Sequence, residues 1–210
     1  MSFSVRPGTI WLVNAALVTT LPPIPLPSEP PILRGVRVLL RSIRPQDQQD
    51  RLAYGRDPEF HRLVGGAPER ASHPLTEADV QRWYAQLRSE PLYWVVEAEG
   101  RMIGTARLHA LDTHHRRARY AVGLFSPEHR GRGYGEETTR TVLSYAFGAL
   151  RLHRVELRVL EFNTRAIQMY ERCGFVREGR EREGVLLGGV WHSDVLMSIL
   201  EHEFAPVPRA

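Results

Sequence analysis

No lysine occurs anywhere in the 210 residues; all 28 basic residues are arginine. The P-loop phosphate motif needs a Lys followed by Ser or Thr after its last glycine, so that nucleotide site is excluded. The bias itself reads as genome composition rather than function. Cys173 is the sole cysteine, which rules out an internal disulfide and agrees with a reducing compartment; a cytoplasmic location is expected. No two histidines show the i, i+4 helical spacing of a zinc site, and no metal is expected. Residues 10–21 form a mostly apolar run too short to span a bilayer, so no membrane is expected. No internal repeat is present.

What is present is ordinary for a globular chain. Hydrophobic residues make up 42% and charged residues 25%, in a length that suits one sizeable core. A net charge of +4 favours an anionic partner, and a phosphorylated cofactor satisfies it as well as nucleic acid would. Residues 1–31 differ from the rest. Arg6 and the apolar run after it are similar to the first two regions of a signal peptide, but Asn14, Thr19 and Thr20 interrupt the run and no convincing cleavage site follows. Pro22, Pro23, Pro25, Pro27, Pro30 and Pro31 then describe an extended linker. We read 1–31 as a proline-rich extension, disordered or loosely docked, with a misassigned start codon or an export signal as alternatives. Residues 32–204 read as one domain.

Inside that domain, Val36, Val38 and Leu40 alternate with Arg37, Leu39 and Arg41 as a first strand. Ile43-Arg44-Pro45-Gln46-Asp47 follows, with Pro45 near the first turn of a helix. Gly65-Gly66-Ala67-Pro68 reads as a loop. Thr76 and Asp79 form a capping-box variant ahead of a helix whose apolar face is Val80, Trp83, Tyr84 and Leu87. Residues 93–98 and 102–110 are a hairpin around Glu99-Gly100-Arg101. His114, His115, Arg116, Arg117 and Arg119 form a basic patch, a solvated loop or a lip for an anionic ligand. Residues 120–125 are a strand, as are residues 155–160 after His153. A helix with Ala166, Ile167, Tyr170 and Cys173 on its inner face ends at a left-handed cap, Gly174. Two last strands, 175–183 and 190–200, flank Gly188-Gly189.

The organising stretch is residues 124–150. Gly131, Gly133 and Gly135 alternate, removing side chains where a backbone must turn tightly or admit a ligand. A helical pattern then runs from Glu136 through Leu143, Ala146, Phe147 and Leu150. Its first-turn amides point back into the glycine loop at the positive end of the macrodipole, and Arg130 and Arg132 add charge there. Pyrophosphate suits such a site. The dinucleotide fingerprint fails, because Glu136 stands where its third glycine belongs.

Arg130-x-x-Gly133-x-Gly135 resembles the R/Q-x-x-G-x-G/A loop of the GCN5-related N-acetyltransferases (GNAT). Asn163-x-x-Ala166-x-x-x-Tyr170-x-x-x-Gly174-Phe175 is similar to that family's second signature at every fixed position, and it follows in the right order. The opening around Ile43-Arg44-Pro45-x-Asp47 resembles the RimJ/RimL branch. The resemblance covers about residues 33–200. It implies an α/β fold of the α+β kind, with a central mixed, mostly antiparallel sheet flanked by helices. It also implies acetyl-CoA as co-substrate, with direct acetyl transfer to an amine.

By that resemblance, Leu124 and Phe125 pair with the pantetheine arm, Arg130, Gly131, Arg132, Gly133, Tyr134 and Gly135 hold the pyrophosphate, and Asn163 binds a pantetheine amide. The Tyr170 hydroxyl protonates the departing sulfur. Asn163 and Tyr170 are seven residues apart, so they share a helix face. Cys173, on the same face, reads as a buried structural thiol. Many RimJ/RimL relatives place a glutamate where Tyr120 stands, which leaves the general base unassigned among His109, Glu97, His192 and Asp194. The acceptor is an amine, a protein N-terminus or a small molecule such as an amino acid, polyamine or antibiotic. A non-catalytic basic domain binding ribosome or RNA is the alternative of another class, though nucleic acid is not the expected partner. A homodimer is compatible with all of these.

Overall fold

The computed structural model describes residues 22–205; the apolar run and signal-like start at residues 1–21 lie outside them. The chain runs β1 (Leu33–Arg34), β2 (Val38–Arg41), α1 (Asp47–Tyr54), α2 (Pro58–Leu63), α3 (Pro68–Ser72), α4 (Glu77–Ser89), β3 (Tyr93–Ala98), β4 (Arg101–Asp112) and β5 (Arg117–Leu124). It continues through α5 (Tyr134–Gly148), β6 (Arg154–Leu160), α6 (Thr164–Arg172), β7 (Val176–Leu187) and β8 (Val190–Leu200). The strands form one sheet in the order β1-β2-β3-β4-β5-β6-β8-β7. Every neighbouring pair is antiparallel except β5 and β6. A parallel pair needs a crossover, and α5 supplies it. This is the mixed, mostly antiparallel sheet expected from the sequence.

Along β3, Trp94 and Val96 face one core while Val95 between them faces another, as period-two alternation requires. The larger core lies under α5 and α6, where Leu143, Ala146, Val155, Leu157, Met197 and Ile199 are buried. The smaller one joins Leu87, Val95, Met102 and Phe125 to Tyr54, Phe60 and Trp83 of α1, α2 and α4. Helices therefore cover both faces of the sheet.

Local signals set the element ends. Thr76 accepts the Asp79 N–H and the Asp79 carboxylate accepts the Thr76 N–H, so the capping box at α4 is complete. At the end of α6, the Phe175 N–H reaches the Tyr170 carbonyl and the Gly174 N–H reaches Glu171. With Gly174 at φ 98°, this is a Schellman cap.

Three local readings change. The loop read at residues 65–68 runs into a helix at Pro68, and both α2 before it and α3 after it are additions to the sequence reading. Their signal was Asp57-Pro58, a capping side chain followed by a proline at the first helical position: Asp57 accepts the Glu59 N–H at 2.9 Å. Pro45 stands outside α1, because the Asp47 carboxylate accepts the Arg44 N–H at 2.6 Å and closes the turn before the helix. The same carboxylate pairs with buried Arg41 at 2.8 Å and 2.9 Å. α5 starts at Tyr134, two residues before the expected Glu136.

Residues 22–31 lie against the domain. Ile24 is buried, Arg116 donates to the Pro22 carbonyl, and Trp94 Nε1 donates to Pro31 at 2.8 Å. Proline has no N–H to offer, but its carbonyl remains a full acceptor.

Candidate active site at the parting of two parallel strands

β5 pairs with β6 only at Arg117, Ala118 and Arg119, whereas its ladder with β4 continues to Leu124. From Tyr120 onward the two parallel strands part, leaving a gap in the middle of the sheet. The Phe125 N–H donates back to Ile103 at 3.0 Å. Because successive amides along a strand point to opposite sides, the Leu124 N–H faces the gap. Of the two residues expected to pair with an extended ligand, Leu124 thus has its amide directed there and Phe125 has its amide spent on β4.

The glycine loop sits at the end of β5, and Gly133 caps α5 in the left-handed region at φ 86°, with no side chain capping the helix. The first-turn amides therefore stay available for an anion. A Cβ on Gly133 would come within 2.9 Å of Arg37 Nη2, one on Gly131 would collide with Arg165, and one on Gly135 would meet nothing within 4 Å. Arg37 is fixed by Glu137 through a 2.9 Å ion pair and by the Arg132 carbonyl at 2.9 Å. Arg132 pairs with Glu99 at 2.6 Å. The Tyr134 hydroxyl donates to the same Glu99 at 2.6 Å, and the guanidinium groups of Arg37 and Arg132 lie 5.1 Å and 5.2 Å from its ring centre. Tyr134 thus offers the loop its amide, not its side chain. Neither Arg37 nor Arg165 belongs to a signature, and only their position in the fold reveals them.

Arg130 and Asn163 hold something other than the loop. The Arg130 guanidinium turns inward to Asp57 at the start of α2, donates to the Leu124 carbonyl at 3.3 Å and lies over the Phe60 ring. The Asn163 side chain caps α6 by accepting the Ala166 N–H at 3.2 Å, and its amide donates to the Leu63 carbonyl at 3.4 Å. α2 thus bridges the gap, anchored to β5 at one end and to the start of α6 at the other. Phe60 rests on Gly123, where a Cβ would approach the ring to 2.8 Å.

Tyr170 is buried, and burial pushes its phenol well above the usual range with no hydrogen bond to offset it. It stays protonated at any physiological pH. Tyr120 packs edge-on against it at 6.4 Å and shares a 3.1 Å hydrogen bond with Thr139. The Thr139 hydroxyl donates in turn to the Gly135 carbonyl at 2.7 Å, so Tyr120 braces the start of α5. Burial raises the Tyr120 phenol as well, which disqualifies it as a base. Burial also pushes the Cys173 thiol up to about 12, leaving it a weak nucleophile.

The four base candidates separate. Glu97 is consumed by Arg41 at 2.6 Å, with Arg44 at 3.6 Å. His109 is held below its ordinary value by burial and by Arg107 and Arg119. His192 packs edge-on against Phe162 at 5.0 Å. Asp194 stands opposite Leu160 at the far end of the β6–β8 ladder. It has no hydrogen bond or ion pair among the described residues, and burial plus the nearby Glu181 raise it, against Arg158.

Comparison with known proteins settles the family. The profile of the acetyltransferase (GNAT) domain matches residues 37–176. The chain belongs to the GNAT family. It is 30% identical over 175 residues to the uncharacterized N-acetyltransferase YoaA of Bacillus subtilis, covering 81% of this chain and 97% of that one. It is 32% identical over 116 residues to the spermidine N(1)-acetyltransferase of Vibrio cholerae, over 55% of this chain and 66% of that protein. The chain thus spans slightly under two thirds of that curated relative. A Vibrio cholerae spermidine N-acetyltransferase structure in complex with CoA and spermine superposes with a TM-score of 0.68 at 25% identity, over 80% of this chain and 97% of the other.

The co-substrate of GNAT acetyltransferases is acetyl-CoA, and the residues here fit it. The helix mouth is uncapped, a Cβ would obstruct the loop at Gly131 and Gly133, and three arginines surround it. Among the described residues, no group of three His, Cys, Asp or Glu side chains could hold a metal, and no helix is long and apolar enough to cross a membrane.

Proposed function

We propose that this chain is an acetyl-CoA-dependent N-acetyltransferase that moves an acetyl group directly to a primary amine, with no covalent enzyme intermediate. The observation that carries the reading is the gap between β5 and β6 with an uncapped helix mouth at one end and a protonated tyrosine beside it. Bound acetyl-CoA supplies a thioester whose carbonyl an amine can attack, giving an amide and a free thiol. The amides from Gly131 to Gly135, with Arg37, Arg132 and Arg165 around them, hold its pyrophosphate. The Leu124 N–H polarises the carbonyl oxygen. As the C–S bond breaks and the N–C bond forms, Tyr170 gives its proton to sulfur and a base takes the proton from nitrogen. Asp194 takes that role, directly or through water, a choice supported by its side chain having no ion pair among the described residues and by its raised carboxyl.

A protein N-terminal amine as acceptor draws support from the RimJ/RimL-like residues around Asp47 and from the 32% identity over 130 residues to the putative ribosomal N-acetyltransferase YdaF of Bacillus subtilis. A small-molecule amine draws support from the spermidine relative. Calorimetry with acetyl-CoA, followed by thiol release across a panel of amines, tests the proposal. Absence of acetyl-CoA binding by the folded chain overturns it.

A further inference from the structure

α2 has two faces. Phe60 presses onto β5, whereas Pro58, His61 and Arg62 line a cavity of about 340 Å³ closed by Pro68 and Ala71 around α3 and by Leu187 of β7. This cavity shares its α2 wall with the gap. Arg62 lies 4.7 Å over the Phe162 ring, next to Asn163, whose amide holds Leu63. No carboxylate lines it.

The surrounding charge is one-sided. Arg51, Arg62 and Arg70 have no carboxylate within 4 Å among the described residues. Arg51 is lowered to about 10 by burial and by Arg56, and so keeps its charge at neutral pH. His61 is lowered by burial and by Arg56, Arg51 and Arg70, with Asp57 opposing. Of the nearby acids, Asp57 and Glu59 sit against Arg130 and Asp79 against Arg56, while Glu69 on α3 is exposed, as Arg62 and Arg70 are, and has no ion pair among the described residues. A polycation entering here would meet three unpaired arginines against one unpaired carboxylate, that of Glu69. An acid would meet arginines whose attraction is uncompensated, with apolar walls for the rest of the molecule.

Resting on the acetyltransferase reading, we infer that the acceptor is a small amine carrying an anionic group, seated by Arg62 in the cavity between α2, α3 and β7. This departs from the spermidine acceptor that the Vibrio cholerae relative's name gives. The class is that of α-amino acids and phosphorylated amines, with an apolar body preferred.

Matched pairs test it in the full chain by thiol release. L-Phenylalanine against phenethylamine isolates a carboxylate, O-phosphoethanolamine against ethanolamine isolates a phosphate, and spermidine is the polycation. The acidic member of at least one pair should show kcat/KM at least tenfold above its partner and above spermidine; which pair responds identifies the anion. Arg62→Gln should collapse that ratio mainly through KM, and Arg62→Lys should restore part of it. Preference for spermidine or for the uncharged partners overturns the inference and leaves the acetyltransferase intact. A ratio that survives Arg62→Gln also overturns it. Failure to bind acetyl-CoA in calorimetry removes both.

Discussion

At the glycine loop Arg37 pairs with Glu137 and Arg132 with Glu99, Arg165 alone of the three having no carboxylate among the described residues, whereas none of Arg51, Arg62 and Arg70 across the gap has one. The first arrangement fixes geometry. Its binding power lies in backbone amides that cannot move away, and the paired guanidinium groups act as walls with residual charge. The second leaves the exposed Arg62 and Arg70 and the part-buried Arg51 without a carboxylate, free to pair with an anionic acceptor, and only Arg51 is held out of water in the free protein. One side of the gap is thus built to hold a constant ligand and the other to select a variable one.

The comparison breaks most sharply at Gly133. A side chain there forces φ 86° on an L-residue and points a Cβ at Arg37, 2.9 Å away. Gly133→Glu also places a carboxylate in an anion site. Acetyl-CoA affinity should fall at least 100-fold, about 2.7 kcal/mol, while circular dichroism remains that of the folded chain. Retained affinity would show that the loop is not the cradle.

Tyr170→Phe asks whether the gap carries chemistry as well as binding. The hydroxyl takes no hydrogen bond from the fold, so its removal should leave the melting temperature unchanged. Turnover should drop about 100-fold, the scale of lost acid catalysis, with acetyl-CoA affinity within twofold. A wild-type rate would make Tyr170 a packing residue.

Asp194 sharpens the acceptor side. A carboxylate raised by burial and by Glu181 must lose its proton before it can act as base. kcat/KM should therefore decline as pH falls through that raised value. Asp194→Asn should cost about 100-fold at neutral pH and remove the acid limb of the profile. An unchanged limb would return the role to His109 or to water.

The sequence carried most of the loop side and little of the other, for a physical reason. Glycine spacing, the Thr76 box, the Gly174 cap and the strand alternations act within about one turn or one hairpin, so pattern reveals them. The partners that build the site are distant in the chain. Arg37 meets Glu137 across 100 positions, Asn163 meets Leu63 across 100, and Arg130 meets Asp57 across 73. Nothing local in Arg130 or Asn163 tells that their side chains hold α2. Docking of the extension is one of the two readings its composition allows, but the contacts of residues 22–31 stay hidden, because proline spacing describes the backbone and not what its carbonyls will touch.

The smallest expected effect tests that bridge. Asp57 pairs with Arg130 where both side chains are mostly buried, at 16% and 13% exposure. Asp57→Asn removes the nearer and more buried of two charge partners, leaving Arg130 with the exposed Glu59 at 3.5 Å and an Nη1 that is buried without a hydrogen bond. Between an exposed and a fully buried pair, the loss should be about 2 kcal/mol, a fall of about 4–8 °C in melting temperature for a chain of this size. Burial raises the Asp57 carboxyl, but the Arg130 guanidinium and the amides of α2 more than offset this and hold it below its ordinary 3.8. Its stabilisation is therefore complete above that value and disappears as pH falls through the lowered one, so the two melting curves should converge in acid. If α2 loosens as the pair breaks, acceptor KM should rise while acetyl-CoA affinity holds. A variant that melts lower with both constants intact would leave Asp57 a stabilising contact and free α2 from any part in seating the amine.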